Sequence, residues 1–440
     1  MIKKIAILIV ILYPSIVLFA QDKWSLEQCI AYALENNTDI KSSELLINSN
    51  KIVADRSKLS YIPELNFNTD YQLNISRSLD QSYSFIENIS TNSLNSGLHL
   101  GTTIFEGFKK YNTYRRSISD LDISQVDREV LKNDIALSVV LSYMNVLLNK
   151  EVISSIRQQI EISDSNIEKT KRLVEEGVVT NERMQNLLIQ RDNEMYSLAD
   201  AEGSLKNSIV GLCSLLNIKN FDSFDIDDSF YTIVDTVPVP LYDIILSSMQ
   251  LPQIESFKLK LKSAEYALKI VKGDLYPRLS FGASFAGSYS DARKKPLGSY
   301  PLFDQLSNHR YQVVSLTLNV PILSVFQTKK NILLAQNNIT LAQYDLFTAK
   351  KTLNERVYQV YTEVEVANKK YQAAIASVEH AKELLLYADN KIANGTLTIS
   401  DYVVTKGNLL ISEAQASKAK YEYFFKLKLL KFYYTHTILD

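Results

Sequence analysis

The side chains that most often carry enzyme chemistry are few in this chain, and they are scattered. The four histidines are His99, His309, His380 and His436. The chain contains no HExxH, no CxxC and no glycine-rich phosphate loop, the patterns that hold metal ligands or phosphate-binding amides at fixed spacing. The adjacent Asp227 and Asp228 are expected to be solvated rather than to hold a metal. We therefore predict that the protein is not an enzyme, and we expect no cofactor and no metal.

Two cysteines and a balanced charge narrow the function classes further. Cys29 and Cys213 are too few for a disulfide framework, so we expect two partly buried free thiols. A single bridge would require the fold to bring both to the same level. The formal net charge is −1, which gives no indication of nucleic acid as a partner, and no Lys/Arg-rich run marks a polybasic membrane anchor.

Residues 1–20 have the pattern of a secretory signal peptide. Lys3 and Lys4 provide the positive start, residues 5–19 the apolar run, and Ala20 a cleavage point. An uncleaved anchor helix is the alternative. Beyond Ala20 no stretch approaches 18 apolar residues, so we expect a mature protein outside the cytoplasm without a transmembrane helix.

Apolar residues recur every seven positions in two stretches, a pattern that describes long supercoiled helices. In the second stretch they are Val357, Val364, Tyr371, Val378, Leu385 and Ile392. In the first, at a constant offset, they are Val139, Val146, Ile153, Ile160, Ile167 and Val174. The same offset carries Gly395 and Thr398 onto Gly177 and Thr180. The sequence therefore predicts two copies of one long helical hairpin.

Before each hairpin the residues alternate between apolar and polar with the period of two that is typical of β-strands. We predict strands at about 64–77 and 93–106 in the first half, and at about 278–290 and 311–321 in the second. The polar stretches 78–92 and 290–310 are the predicted connections.

Each strand reaches the length of about 9–11 residues that crosses a bilayer at a tilt. Soluble hairpins with one buried face are the alternative for a single strand, but four strands in two matched pairs favour a membrane. A four-stranded sheet leaves backbone groups unpaired at its edges, so in lipid copies must join until a barrel closes. Two, three or four subunits would satisfy that geometry. The positions predicted to face lipid are Leu65, Phe67, Tyr71, Leu73, Leu98, Leu100, Phe281, Phe285, Leu316 and Leu318.

The predicted fold class is mainly α with a membrane β part, built from two tandem structural repeats. Each repeat has two transmembrane β-strands and a long coiled-coil helical hairpin. Residues 21–235 form the first repeat, with hairpin helices at about 113–176 and 181–217. Residues 236–440 form the second, with hairpin helices at about 325–394 and 399–435.

This order of elements resembles the TolC family, the outer-membrane channel proteins of efflux pumps and type I secretion systems. The motifs that carry the resemblance are Trp24-Ser25-Leu26-Glu27-Gln28, Ala33-Leu34-Glu35-Asn36-Asn37, Pro63, Ile104-Phe105-Glu106-Gly107 and residues 395–401. The resemblance covers residues 21–436 and implies a homotrimer, with a 12-stranded β-barrel in the outer membrane continued by a 12-helix α-barrel in the periplasm. The implied partners are outer-membrane lipid, a periplasmic adaptor and an inner-membrane transporter.

The resemblance also assigns roles to the hairpin ends, which in this family form the periplasmic entrance and dock the adaptor. Asp401 matches a carboxylate of the entrance constriction, where three copies would form a ring of negative charge. A carboxylate favoured by the dipole at a helix start is the other interpretation of Asp401, and both can hold. The turn and adaptor-contact positions are Gly177, Val178, Val179, Thr180, Glu182, Arg183, Gly395, Thr396, Leu397, Thr398 and Ser400.

The entrance departs from the family pattern at three places. Better-known members carry an arginine at the position of Leu397, an aspartate at that of Val404 and a Thr-Asp pair at that of Glu182-Arg183. Arg183 is therefore the candidate cation of a rebuilt polar latch.

The leading hypothesis is a passive exit duct of a tripartite efflux pump or type I secretion system, opened at its hairpin end by its partners. The alternative is a periplasmic coiled-coil structural or adaptor protein with soluble β-hairpins. The sequence does not name the cargo or the cognate pump.

Overall fold

Four long helices account for about half of the chain in the computed structural model, which describes residues 23–79, 86–228, 239–292, 294–295, 298–393 and 396–438. The predicted signal peptide lies outside these ranges. The helices are α1 (Leu26–Asn36), α2 (Thr38–Leu59), α3 (Lys109–Glu175), α4 (Asn181–Leu216), α5 (Leu241–Ser248), α6 (Pro252–Gly273), α7 (Leu302–Asn308), α8 (Ser324–Ala393) and α9 (Ile399–Thr435). The strands are β1 (Glu64–Leu79), β2 (Ile86–Glu106), β3 (Arg278–Ser290), β4 (Lys294–Lys295), β5 (Gly298–Ser299) and β6 (Arg310–Asn319).

The two predicted hairpins are α3 with α4 and α8 with α9. α3 has 67 residues and α8 has 70, so each is about 100 Å long at 1.5 Å per residue. The bounds of α4, α8 and α9 lie within one residue of those predicted. α3 begins at Lys109 rather than at 113, because Gly107 and Phe108 both take positive φ angles and turn the chain directly from β2 into the helix.

The chain divides into two compact units that do not follow the two repeats. The hairpin unit comprises the described residues of Met1–Ile40, Leu131–Ser247 and Arg356–Asp440. The sheet unit comprises those of Lys41–Val130 and Ser248–Glu355. Each unit contains segments of both repeats. One repeat, a helical hairpin with two strands, cannot bury its apolar face without the other.

The core of the hairpin unit is built from the seven-residue pattern. Val139, Val146 and Val357 of that pattern are fully buried. One stretch of α3 is apolar enough in composition to cross a membrane, contrary to the expectation from run length, but 44% of it is buried inside the protein. The stretch thus belongs to the helical core, as its pattern predicts.

Both cysteines lie in this core. Cys29 of α1 and Cys213 of α4 are free thiols and fully buried, not partly buried as predicted. Burial raises the pKa of Cys29 to about 12 and that of Cys213 to about 11. Neither sulfur is therefore a reactive thiolate near neutral pH.

The start of the linker between the halves is tied to the N-terminal segment. Trp24 forms a parallel β-bridge with Ile226. Asp228 accepts hydrogen bonds from Lys150 at 2.6 Å and from Lys23 at 2.7 Å. The sequence predicts a solvated carboxylate here. Asp228 is instead held by two lysines in a cluster of ion pairs.

β1, β2, β3 and β6 form one antiparallel sheet in that order. The ladder between β1 and β2 runs from Glu64 opposite Gly101 to Leu79 opposite Ile86. β2 therefore starts at Ile86 rather than at about 93, within a stretch predicted as a connection. Apolar and polar residues alternate visibly only where one face of a strand is apolar. Backbone pairing does not require that alternation, so the ladder continues beyond it.

The second connection, predicted only as a loop at 290–310, contains regular structure. β4 pairs with β5, and the helix α7 packs on β3. A helix of 7 residues has too few turns for the periodicity of its sequence to stand out.

Gly107 and Gly273 meet where β2 passes into α3. Gly107 has a φ of 62°, and an added Cβ would lie 2.4 Å from the Gly273 carbonyl oxygen. We expect Gly107→Ala to lower the free energy of unfolding by at least about 2 kcal/mol, because both the backbone angle and the neighbouring backbone oppose a side chain. Gly101→Ala, in the preceding strand β2, is the control, since nothing lies within 4 Å of a Cβ added there. Denaturant unfolding in detergent measures both, and equal midpoints would contradict the prediction.

Candidate functional site

The sheet has two chemically different faces. Residues directly opposite each other in an antiparallel ladder point to the same side, so the register assigns each residue to a face. Phe67 lies opposite Leu98, which lies opposite Phe285. The same register places all ten predicted lipid-facing positions on one side, hereafter the apolar face. That face is open within a single chain, where Phe67 is 69% exposed.

The other side, hereafter the polar face, is lined by amides, hydroxyls and glycines. His99 Nδ1 and Ser284 Oγ lie 3.0 Å apart on it. Its members on β1 and β6 include Asn66, Asn68, Ser315 and Thr317. The outer edges of β1 and β6 pair with no other strand in the described part of the chain. A sheet with one apolar face, one polar face and two open edges is suited to form part of a larger barrel wall.

Gly177 ends the first long helix as its sequence predicts. Its φ is 73°, and the amide of Val178 donates to the Leu173 carbonyl at 2.9 Å. This left-handed ending is one that glycine adopts at no steric cost. The following residues, Val178 and Thr180, are exposed at the turn, and Val179 is half-buried.

The second turn is described from Thr396 onward, so Gly395 lies outside the described residues. The amide and the hydroxyl of Thr396 both donate to the Lys391 carbonyl, at 2.9 and 3.1 Å. Leu397 packs against an apolar cluster that includes Leu385 and Tyr402. Leu397 thus fills the end of the hairpin core, at one of the three places where the sequence departs from the pattern of the family it resembles. Ser400 lies in the first turn of α9.

Asp401 lies in the first turn of α9, three residues after the N-cap residue Thr398. The Thr398 hydroxyl accepts a hydrogen bond from the Asp401 amide at 3.1 Å and donates to Asp401 Oδ2 at 2.7 Å. The carboxylate is exposed in the first helical turn, where the helix dipole favours negative charge. The helix-start interpretation of Asp401 therefore describes its local geometry, and its place in an entrance remains a prediction.

Arg183 connects the two hairpin turns. Its Nη2 donates to the Ile392 carbonyl at 2.9 Å, across from α4 to the end of α8. Its Nε is buried without a hydrogen-bond partner among the described residues. Neighbouring Glu182 and Val404 are exposed. The candidate replacement cation thus holds a backbone carbonyl of its own chain.

Lys406 of α9 places a cation inside the hairpin unit, with only 2% of its side chain exposed. Its three ammonium protons are all used, on the Gln159 carbonyl at 2.6 Å, Ser163 Oγ at 2.5 Å and Glu194 Oε1 at 2.9 Å. Glu194, 5% exposed, also accepts from Ser163 Oγ at 2.7 Å and from Gln190 Nε2 at 2.9 Å. These five residues are hereafter the buried ion-pair cluster.

The buried ion-pair cluster joins both hairpins, because it takes residues from α3, α4 and α9. Lys406 and Glu194 are the charged side chains buried in the described part of the chain. Burial lowers the pKa of the Lys406 ammonium, and the attraction of Glu194 opposes that shift without cancelling it. The charged form of Lys406 is therefore held at a net cost relative to water, and its three contacts fix how α3, α4 and α9 pair.

The buried ion-pair cluster was not predicted, although the sequence contains a signal for it. Glu194 stands seven residues from Leu187 and from Ala201, both of which are buried in α4. Lys406 stands between the buried Tyr402 and Leu409 of α9. A charge in an otherwise apolar helical row indicates a buried partner on a facing helix.

No metal site is present among residues 23–438 where they are described: no group of three His, Cys, Asp or Glu side chains there could hold an ion. The described geometry thus comprises an open sheet with one apolar face, two hairpins joined by the buried ion-pair cluster, and an exposed carboxylate at the second hairpin turn.

Comparisons with known proteins agree with that geometry. The family model described as outer membrane efflux protein matches residues 29–217 and 247–428. The alkaline protease secretion protein AprF of Pseudomonas aeruginosa is 23% identical over 364 residues, which cover 79% of this chain and 71% of the relative. The outer membrane protein TolC of Escherichia coli is 21% identical over 388 residues, covering 85% and 74%.

Among solved structures, the Campylobacter jejuni CmeC outer membrane channel superposes with a TM-score of 0.78 at 18% identity. The superposition covers 91% of this chain and 84% of that one. The mainly helical fold with one small sheet is thus that of known outer-membrane channels.

Proposed function

This chain belongs to the outer membrane efflux protein family, and we propose that three copies of it form one exit duct from the periplasm across the outer membrane. The protein is located in the outer membrane and extends into the periplasm. Its described polar groups offer no catalytic constellation, and we propose that it acts as a passive conduit whose energy comes from its partners.

The observation that carries this proposal is the apolar face of the sheet together with its two open edges. An open edge in hydrocarbon would leave backbone N–H and C=O groups unpaired, at several kcal/mol for each group. Edge-to-edge joining of β1 of one copy with β6 of the next removes that cost. Twelve strands in three copies give a closed barrel with the apolar face toward lipid and the polar face toward water.

The hairpin ends are the proposed entrance and the proposed contact for a periplasmic adaptor that leads to an inner-membrane transporter. The turn residues Val178, Thr180 and Thr396 are exposed and available to such a partner. The contact of Arg183 with the Ile392 carbonyl would hold the two turns together in the closed duct. The related AprF is named for alkaline protease secretion, so we propose exported polypeptide beside small toxic molecules as cargo.

The direct test is purification in detergent followed by mass measurement and planar-bilayer recording. We expect a particle of three chains and stepwise ion conductance. A preparation of monomers without conductance, released from envelopes by carbonate alone, would instead indicate a periplasmic coiled-coil protein.

Asp401 provides a test of the entrance. A ring of three carboxylates across a narrow pore concentrates cations, so Asp401→Asn is expected to lower the cation-to-anion permeability ratio by a factor of about 2–10. Asp200→Asn, an exposed carboxylate on α4, is the matched control and should leave the ratio unchanged. Reversal potentials in asymmetric salt measure both variants. An unchanged ratio in Asp401→Asn would remove this residue from the conducting path.

A further inference from the structure

The short helix α7 lies on the apolar face of the sheet. Gly287 of β3 belongs to that face, because it is opposite Ser96, which is opposite Thr69. The hydroxyls of Thr69 and Ser96 meet at 2.9 Å on the same side, which agrees with the register. A Cβ added at Gly287 would lie 2.5 Å from the Leu306 carbonyl oxygen. The backbone of α7 is thus seated directly over this glycine.

One buried side chain fixes how α7 is turned. Gln305 is 1% exposed. Its Nε2 donates to the Ser290 carbonyl at 3.1 Å and to the Tyr300 carbonyl at 3.2 Å, and its Oε1 accepts from the Ser290 amide at 3.1 Å. Since both amide protons and the oxygen are used, Gln305 holds α7 on the end of β3 in one orientation.

The opposite side of α7 presents a large apolar residue. At about 100° per residue, Phe303 points away from Gln305, and it is 80% exposed. Leu302 beside it is also exposed. Arg310, at the start of β6, lies opposite Gly287 and is therefore on the same face, where it is exposed as well. An outward phenylalanine on α7 and an exposed cation on the same face of the sheet fit the boundary between acyl chains and lipid phosphates.

We propose that α7 is an interfacial anchor that binds outer-leaflet lipid, with Phe303 among the upper acyl chains and Arg310 at a lipid phosphate. This inference rests on the proposed function, which turns the apolar face toward lipid. A second copy of the chain is not the occupant, because α7 packs on β3, which has β2 and β6 on its two sides, whereas copies join at the edges of β1 and β6.

Tryptophan fluorescence tests the anchor, because Trp24 is the single tryptophan of the chain and Trp24→Phe removes it. In that background, three full-length variants are reconstituted into vesicles of phosphatidylcholine brominated near the headgroup or near the chain end. Phe303→Trp tests α7, Phe67→Trp reports the apolar face, and Asn68→Trp reports the polar face.

Phe303→Trp is expected to emit at shorter wavelength than Asn68→Trp, and to be quenched more by bromine near the headgroup than by bromine near the chain end. Emission and aqueous iodide quenching equal to those of Asn68→Trp, with Phe67→Trp quenched by bromine, would overturn the anchor and leave the duct standing. If bromine fails to quench Phe67→Trp as well, the proposed function fails together with the anchor.

Discussion

Lys406→Met is expected to destabilise the hairpin unit by about 3–5 kcal/mol, because it leaves Glu194 buried without its counter-charge. Ser163 and Gln190 still donate to that carboxylate, but they carry no charge. The Gln159 carbonyl loses its side-chain donor as well. The free energy of unfolding in detergent, followed by the helical circular dichroism signal against denaturant, measures the loss.

Two further variants show whether the loss comes from the pair. Lys418→Met removes an exposed lysine from the same helix and should change the midpoint little. The double variant Lys406→Met with Glu194→Leu removes both charges and should recover most of the loss, since replacing a whole buried pair by apolar residues is often neutral. Losses that simply add in the double variant would contradict a coupled pair.

The difference in unfolding free energy between wild type and Lys406→Met should depend on pH, because the pKa of Lys406 is lowered. The folded pKa lies below the ordinary value of 10.5 that we take for the unfolded chain. Between these two values the unfolded chain binds a proton that the folded chain has released, so the stability contribution of Lys406 rises with pH. Below the folded pKa the group is charged in both states and the cost of burying the cation is present in full. Wild type should therefore gain stability relative to Lys406→Met as the pH approaches 10.5 from below.

Phe67→Arg is expected to abolish most barrel assembly. Inside hydrocarbon an arginine on the outer surface of a barrel costs up to about 2–4 kcal/mol, depending on depth, and a closed trimer would carry three of them. Asn68→Arg is the matched control, because this neighbour lies in the same strand on the polar face. The yield of detergent-resistant trimer after folding into liposomes measures both.

The outcome separates a membrane barrel from a soluble sheet. A large loss for Phe67→Arg with a small one for Asn68→Arg is expected if the apolar face meets lipid. Equal yields would show that the apolar face carries no lipid contact.

Periodicity was sufficient to predict the long helices and the chemistry of the strands. The α4, α8 and α9 bounds were predictable because few glycines or prolines interrupt those helices and glycine or threonine marks the turns. The assignment of Phe67 and Leu98 to one face was predictable because a strand alternates strictly. Residues 86–92 show no alternation of apolar and polar residues, however, so the start of β2 at Ile86 was not predictable from the sequence.

Contacts between distant segments were beyond the reach of periodicity. The pairing of Lys406 with Glu194 depends on which helices become neighbours, and neither residue alone names its partner. The hydrogen bond of Arg183 to the Ile392 carbonyl also depends on which helices become neighbours. Its acceptor is a backbone group, so the residue type at 392 gives no indication of the contact. The face of the sheet on which α7 lies could be assigned only from the register of β3.

β1 and β6 have no partner strand at their outer edges within the described part of the chain. The rate at which chains encounter one another should therefore control the assembly of this protein. In the proposed trimer the ring closes by successive encounters of three chains, so the amount of mature duct should increase more steeply than in proportion to synthesis when chains are scarce. Pulse-labelling at graded expression levels would show this as a delay before protease resistance that shortens as synthesis rises. We expect chains that remain unassembled with exposed strand edges to become substrates for envelope proteases and chaperones, which would set a lower limit on useful expression.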